Sequence, residues 1–366
     1  MTTGTPVSQD DPTRARDGAA ATHNSRDAGA ESGVRAPSLA KRFFNLRTLL
    51  SFGLGFAILG FLATRVQIDV GAILDRLRQA NPWLLGLAFL AFYATFPVRA
   101  LRWRKLLDNV ELTTHEEGGT RLGISILTEI IFLGWFANCI VPAKLGDAYR
   151  AYLLKLNAGV SFSTTVGTIL AERIIDVVVL FVLMLAATGL SFGQAVPLEV
   201  LRLMQVGLVL VVLVVVGLVG MRRLRPLIER VLPKRFHEQY ALFEHGTLGS
   251  FRGIPGLVVL TTIAWAGEVA RMYLVTLSLG AGGIAQSVIV FVALAAALVT
   301  TLPLTPAGLG FAEGAIVAVL LLAARAGLAP GVDEHTAAGI ALLDRGISYW
   351  SLIVIGLVVY PLSKRK

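Results

Sequence analysis

The chain has 366 residues, of which 55% are hydrophobic and only 16% charged, against roughly 25% charged residues in a typical soluble domain. Apolar runs of about 20 residues recur along it, which excludes a soluble globular protein and indicates a polytopic helical membrane protein. The formal net charge of +9 lies mainly in loops beside these runs, a pattern typical of inward-facing membrane loops and not of nucleic-acid binding. The single cysteine, Cys139, excludes an intramolecular disulfide and a cysteine-based metal cluster.

The first 40 or so residues are rich in small and polar residues and contain no aromatic side chain before Phe43. Such a segment buries too little apolar surface to order itself, so residues 1–47 are predicted to be a disordered cytoplasmic tail ending in a basic juxtamembrane segment. No signal-peptide pattern precedes the first long apolar run, and the first span is therefore expected to stay in the membrane. The remainder, 48–366, is predicted to be one transmembrane domain.

Apolar length predicts six full spans, each long enough to cross the hydrocarbon core of a bilayer, at 48–65, 83–101, 165–189, 203–221, 254–279 and 338–361. Two further apolar stretches, 122–141 and 286–304, run into segments that contain proline and glycine before a helical pattern resumes. Proline removes a backbone donor and glycine weakens a helix, so each stretch predicts a broken helical hairpin. The predicted fold class is all-α, with six full spans and two broken hairpins.

The two breaks begin an internal repeat. Pro-Ala-x-Leu-Gly occurs at 142–146 and again at 306–310. Each copy is followed, inside a later span, by an acidic residue and an arginine: Glu172-Arg173 and Asp344-Arg345. Two matches in the same order predict a repeat of the kind found in transporters with discontinuous helices.

The distribution of Lys and Arg predicts the orientation. Loops on one side hold 18 of these residues, including Arg99 and Arg102 after the second span, and the alternate loops hold 4. This bias places both termini in the cytoplasm of a multi-pass protein of the cell membrane. The first repeat then starts inside and the second outside, so the repeat is predicted to be inverted, with a substrate site at its interface.

An ionisable residue inside a membrane span costs free energy, and it usually faces an oppositely charged partner or a water-filled cavity. In this chain the ionisable residues inside or beside the apolar segments are Glu129, Asp147, Arg150, Glu172, Arg173, Asp176, Glu268, Arg271, Glu313, Asp344 and Arg345. One interpretation is a set of interhelical salt bridges. The other is a phosphate-sized anion site, formed by the two half-helix N-termini together with Arg150, Arg173 and Arg345.

Two smaller groups of charged residues are interpreted separately. Glu268 and Arg271 are three residues apart on one helix and are expected to pair with each other. The basic residues Arg99, Arg102, Arg104 and Lys105, with Trp103, are expected to anchor the second span at the cytoplasmic surface or to gather lipid headgroups there.

No enzyme signature is visible: the sequence has no Walker loop, HExxH, GxSxG or cysteine-rich metal spacing. No catalytic residue, metal site or cofactor is therefore expected, and the protein is not expected to be an enzyme.

Three groups of residues in combination resemble a known family. They are Asn138-x-x-x-Pro142-x-x-x-Gly146-Asp147-x-x-Arg150, then Glu172-Arg173-x-x-Asp176, then Pro303-x-x-Pro306-x-Gly308-x-Gly310-x-x-Glu313. This pattern resembles the transmembrane region of lysylphosphatidylglycerol synthases and of flippase-like bacterial and archaeal membrane proteins, over residues 48–361. Asp147 stands where the family more often has Glu, and the aminoacyl transferase domain of the larger members is missing. The resemblance implies lipid movement or lipid binding, and not lipid aminoacylation.

The expected function is to bind a phosphate-bearing lipid and to move its headgroup between leaflets. The expected headgroup-binding residues are Asn138, Pro142, Gly146, Asp147, Arg150, Glu172, Arg173, Asp176, Pro306, Gly308, Gly310, Glu313, Asp344 and Arg345. Expected partners are membrane lipids, anionic or polyprenyl-phosphate, and a lipid-modifying enzyme. Two alternatives remain: a secondary transporter of a small solute in which Glu172, Asp176 or Glu313 couples protons, and a membrane transferase acting on a lipid-linked sugar.

Overall fold

The computed structural model of the protein describes residues 1–2, 46–65, 70–113, 122–141, 144–192, 196–301 and 305–365. Residues 43–366 form one compact unit, and the other unit, Met1–Arg42, is described only at Met1 and Thr2. Residues 3–45 of the predicted tail, the candidate residue Pro142 and Pro303 lie outside the described residues.

All regular secondary structure in the described residues is helical, and no strand occurs among them. The helices are α1 Leu46–Arg65, α2 Val70–Gln79, α3 Pro82–Asn109, α4 Ile124–Ile140, α5 Leu145–Ala158, α6 Phe162–Phe192, α7 Leu198–Arg223, α8 Arg225–Val231, α9 His237–Gly249, α10 Ile254–Ser278, α11 Gln286–Thr301, α12 Phe311–Arg325, α13 Glu334–Arg345 and α14 Ser351–Leu362. A π-helical turn, Gly346–Trp350, joins α13 to α14 without a break in the helix. The chain is thus an all-α polytopic membrane protein.

Six helices of the described chain are long and apolar enough to cross a membrane. Five of them, α3, α6, α7, α10 and the continuous helix Glu334–Leu362, confirm predicted full spans. The sixth is Pro306–Arg325, the arm that follows the second break. Helix α1 covers the predicted span 48–65, but its apolar part is the shorter segment Leu49–Phe61.

Both predicted breaks are present, and the two arms of each hairpin pack on each other: α4 on α5, and α11 on α12. In the first hairpin the arms approach so closely that a Cβ atom on Gly146 would lie 2.0 Å from the carbonyl oxygen of Gly134. No side chain larger than hydrogen fits at this crossing, so the glycine of the first Pro-Ala-x-Leu-Gly segment is required for packing.

Local signals in the sequence set the ends of helix α3. The side chain of Asn81 accepts hydrogen bonds from the backbone N–H groups of Trp83 and Leu84, at 3.0 and 3.4 Å, and Pro82 occupies the first turn, where no donor is needed. Helix α3 then runs for 28 residues to Asn109, well beyond the predicted end at residue 101. It packs most extensively on α10, and α6 packs on both α9 and α11.

Candidate functional site

A cavity of about 420 Å³ lies between the two repeats. Its charged lining residues are Arg99, Lys144, Asp147, Arg173, Asp176, Glu268, Arg271, Asp344 and Arg345. The rest of the wall is mainly apolar or hydroxyl-bearing, with Trp135 and Trp265 from α4 and α10 and Thr300 and Thr301 from α11. Side chains of both acid–Arg pairs, Arg173 of the first and Asp344 and Arg345 of the second, therefore meet in one space.

Arg173 links two elements of the first repeat. Its Nε and Nη2 atoms donate to the two carboxylate oxygens of Asp147, both at 3.0 Å, in a bidentate pair. Its Nη1 atom lies 3.5 Å from Asp176, one turn along α6. The Arg173 side chain is 27% exposed and that of Asp147 18%, so a ligand in the cavity can reach this pair.

A second layer of charge lies behind the wall. Arg102 of α3 donates to Glu172 at 2.8 Å and also to Asp176, while Arg150 of α5 donates to the other oxygen of Glu172. The guanidinium of Arg150 also stacks on Trp103, 3.7 Å from the ring centroid. Arg102, Arg150 and Glu172 are each at most 1% exposed. They hold α3, α5 and α6 together and lie outside the cavity lining.

Another part of the cavity wall, formed by Arg99, Glu268, Arg271 and Asp344, has a similar chain of ion pairs. Arg99 donates to Glu268 at 2.9 Å, and Arg271 donates both to Glu268 and, at 2.8 and 3.2 Å, to the two oxygens of Asp344. The expected pairing of Glu268 with Arg271 is confirmed. Asp344 connects this chain of pairs to the second repeat.

Polar side chains satisfy the backbone groups that the two breaks leave free. In the first break, Asn138 accepts a hydrogen bond from the N–H of Gly146 at 2.8 Å. In the second, Arg345 donates to the carbonyl of Ala307 at 2.9 Å, and Glu313 accepts from the N–H of Gly310 at 2.7 Å. Irregular backbone at membrane depth is stable only with such partners.

One matched position of the two breaks has a positive φ angle in both. Lys144 and Gly308 are the third residues of their Pro-Ala-x-Leu-Gly segments, and both have positive φ, +53° and +73°. Left-handed backbone is free of strain for glycine but costs another residue roughly 1 kcal/mol. The first repeat therefore carries a lysine in a conformation for which the second repeat uses glycine.

The structure brings together only part of the predicted site. Asn138, Asp147, Arg173, Asp176, Asp344 and Arg345 line the cavity. Gly146, Pro306, Gly308, Gly310 and Glu313 instead form the breaks and the contacts that hold them. Glu172 and Arg150 lie in the buried second layer, so Arg150 does not join Arg173 and Arg345 at the cavity, because its guanidinium is turned toward Trp103 and Glu172.

Sequence reasoning missed the role of Arg99 and Arg102. It placed them at the membrane surface as anchors, and this interpretation is wrong for both: they are 2% and 0% exposed and pair with carboxylates of α10 and α6. The error came from ending the second span at residue 101. Their spacing of three residues, which puts both on one helix face, was the signal that pointed inward. Without these two arginines, the predicted cytoplasmic loops still hold more Lys and Arg residues than the alternate loops.

Comparison with known proteins agrees with the architecture. A UPF0104 membrane protein of Methanocaldococcus jannaschii is 32% identical over 63% of this chain and 95% of its own length. Another, from Pyrococcus horikoshii, is 24% identical over 76% of this chain and 86% of its own. Glycosyltransferase AglD of Haloferax volcanii is 26% identical over 85% of this chain, but the match covers only 54% of that protein. No solved structure matches the chain.

Residues 48–356 match the family described as the lysylphosphatidylglycerol synthase TM region, which is nearly the whole helical part of the chain. The broken hairpins, the repeated acid–Arg pairs and this match together show that the chain belongs to that family of membrane proteins.

Proposed function

We propose that this protein binds the anionic headgroup of a membrane lipid in the cavity between its repeats and moves that headgroup between leaflets. The observation that carries the proposal is the composition of one cavity wall. Arg173 and Asp147 of the first repeat and Asp344 and Arg345 of the second face a space of about 420 Å³, large enough for a headgroup.

Two features support a lipid as the ligand. The cavity is lined both by charged groups, which suit a phosphate, and by apolar side chains, which suit the start of a hydrocarbon chain. One wall is formed by Leu210 and Val214 of α7, a helix whose buried residues are only Val200, Met204 and Gly207. A single, lightly packed helix thus separates this part of the cavity from the bilayer.

The arrangement suggests how a headgroup could move. In inverted-repeat transporters the substrate stays near the midplane while one repeat moves against the other. Here the wall is built from both repeats, so relative motion would open it toward either leaflet. We place the protein in the cell membrane with both termini cytoplasmic, on the Lys and Arg bias, and expect anionic or polyprenyl-phosphate lipids as ligands and a lipid-modifying enzyme as a partner.

A vesicle assay tests the proposal. The purified protein is reconstituted with a fluorescent phospholipid, and a membrane-impermeant reductant bleaches the outer-leaflet label. We expect more label to be bleached than the outer leaflet of protein-free vesicles holds. Arg173→Gln should lower this excess, while Arg202→Gln, which changes an exposed arginine of α7 outside the cavity lining, should leave it unchanged. Bleaching at the protein-free level by the wild type would contradict the proposal.

A second candidate is a membrane transferase that acts on a lipid-linked sugar, favoured by the similarity to glycosyltransferase AglD. Both candidates share a lipid phosphate as the bound group. Incubation of the pure protein with a polyprenyl-phosphate sugar and an acceptor separates them, because only a transferase yields a new glycosylated product.

A further inference from the structure

Lys144 differs from every other cation around the cavity. The arginines Arg99, Arg102, Arg150, Arg173, Arg271 and Arg345 all form ion pairs with carboxylates. Lys144 lines the same cavity, half-buried, and among the described residues no carboxylate lies within ion-pair distance of it. Its ammonium group is therefore the cation of the wall that forms no ion pair among the described residues.

The charge balance of the whole site agrees. The cavity wall and the layer behind it hold seven cations, namely these six arginines and Lys144. They hold six carboxylates, which are Asp147, Glu172, Asp176, Glu268, Glu313 and Asp344. Each carboxylate pairs with at least one arginine. One positive charge remains at a site where an unpaired charge is costly.

Backbone conformation gives an independent observation. Lys144 has left-handed backbone at the position where the second repeat has Gly308. Glycine would remove the strain, which Ala307 of the second break also carries at φ +43°, so the backbone alone gives no reason for a lysine here. Strain at a side chain that faces a cavity is characteristic of a functional residue. A further polar group in the wall points the same way: Trp265 is 9% exposed, and its indole N–H has no acceptor among the described residues.

We infer that Lys144 binds the ligand's phosphate and that the ligand supplies one negative charge, as the phosphodiester of a lipid with an uncharged headgroup does. This inference rests on the proposed function and gives it a substrate class. A phosphodiester carries one charge at neutral pH, whereas a terminal phosphomonoester carries nearly two and a zwitterionic phospholipid has no net charge. The inference makes the first repeat the one that holds the phosphate, and the two repeats functionally unequal.

Binding measurements on the full-length protein in detergent, by native mass spectrometry, test the inference. The probes are phosphatidylglycerol as the phosphodiester, phosphatidic acid as the monoester and phosphatidylcholine as the zwitterion. Glycerophosphoglycerol, the free headgroup, distinguishes a lipid site from a site for soluble phosphodiesters. We expect phosphatidylglycerol to bind at least about tenfold more tightly than the other two lipids. A charge-assisted hydrogen bond between Lys144 and a singly charged ligand contributes a free energy of this size. We expect the free headgroup to compete weakly, because it lacks the chains.

The variants separate binding from folding. Lys144→Gln should weaken phosphatidylglycerol binding about tenfold or more, and Lys144→Arg should restore it. Lys144→Gly should weaken binding as much while raising the thermal midpoint, because glycine accepts the backbone conformation without strain. Lys155→Gln, at an exposed lysine of α5, the helix that follows Lys144, lies outside the cavity lining and should change neither.

Two outcomes would overturn the inference while leaving the proposed function standing. One is unchanged phosphatidylglycerol binding by a folded Lys144→Gln protein. The other is tighter binding of phosphatidic acid than of phosphatidylglycerol by the wild type. This result would show that the site does not select a ligand with one negative charge. Failure of the wild type to bind any of the three lipids, or a polyprenyl phosphate, would instead overturn the proposed function itself and this inference with it.

Discussion

Arg345 donates a hydrogen bond from its Nε atom to the carboxylate of Glu313 at 2.9 Å, and so ties the helix of the second acid–Arg pair to the helix that follows the second break. The first repeat makes the same connection, since Arg173 binds Asp147 in the first turn after the first break. In each repeat the arginine of the later span therefore fixes the start of the half-helix.

Replacing Arg345 should destabilise the protein. Arg345→Gln leaves Glu313 buried without its cation and removes the donor to the carbonyl of Ala307. Breaking a buried pair from one side costs about 3–5 kcal/mol, and we expect a loss of this size in thermal unfolding in detergent. Adding Glu313→Gln should recover part of it. Arg325→Gln, at an exposed arginine in the last turn of α12, is the matched control, and equal loss in both proteins would refute the role of the pair.

Coupling energies should follow the spatial partners and not the sequence neighbours. Arg173 is adjacent to Glu172 in sequence but pairs with Asp147, 26 residues away, and Glu172 pairs with Arg102 and Arg150. A double-mutant cycle of Arg173→Gln with Asp147→Asn should give a coupling of about 0.5–3 kcal/mol in unfolding free energy. The cycle of Arg173→Gln with Glu172→Gln should give a smaller value. A reversed order would contradict the geometry of the first repeat.

Gly146→Ala should open the first hairpin. The added methyl would lie 2.0 Å from the carbonyl oxygen of Gly134, in backbone that cannot move aside cheaply. We expect a loss of about 1–3 kcal/mol in unfolding free energy, the usual cost of overpacking. Gly86→Ala provides the contrast, because a Cβ at this helical position in α3 meets nothing within 4 Å. That substitution should stabilise the protein by up to about 1 kcal/mol, and similar effects at the two sites would count against the hairpin packing.

Orientation can be tested by cysteine labelling of intact cells. Arg230 is exposed at the end of α8, in the basic loop placed in the cytoplasm by the Lys and Arg bias. A membrane-impermeant maleimide should label Arg230→Cys only after the cells are permeabilised. The native Cys139 is buried, 3% exposed, and should give no background signal. Labelling of intact cells would refute the predicted topology and the inverted repeat that depends on it.

The sequence contained most of the fold and only part of the site, for a physical reason. Spans and breaks follow from local properties, namely apolar length and the backbone chemistry of proline and glycine, and both are visible in single segments. Ion pairs depend on which faces of distant helices meet. Arg102 is 70 residues from Glu172, and no local sequence pattern in α3 indicates that Glu172 is its partner.

Lys144 is absent from the site predicted by the sequence for a different reason. A lysine beside a break looks like a surface residue of a loop, and its backbone conformation is not encoded by its own residue type. Alignment of the two repeats could have indicated it, because Lys144 stands opposite Gly308 in matching Pro-Ala-x-Leu-Gly segments. A residue other than glycine at a position where the matching repeat has glycine can be recognised from a single sequence.

The burial of Arg99 and Arg102 also constrains how the protein is made. Both lie on α3, but their carboxylate partners follow much later in synthesis, Glu172 after 70 residues and Glu268 after 169. When α3 first reaches the membrane it carries two arginines without counterions, at an insertion cost of up to roughly 2.5–3.5 kcal/mol each, the value for a charge at the centre of a span. Helix α3 must therefore stay in contact with water or with the insertion machinery until α6 arrives. A nascent chain truncated before Glu172 should consequently fail to hold its second span in the bilayer.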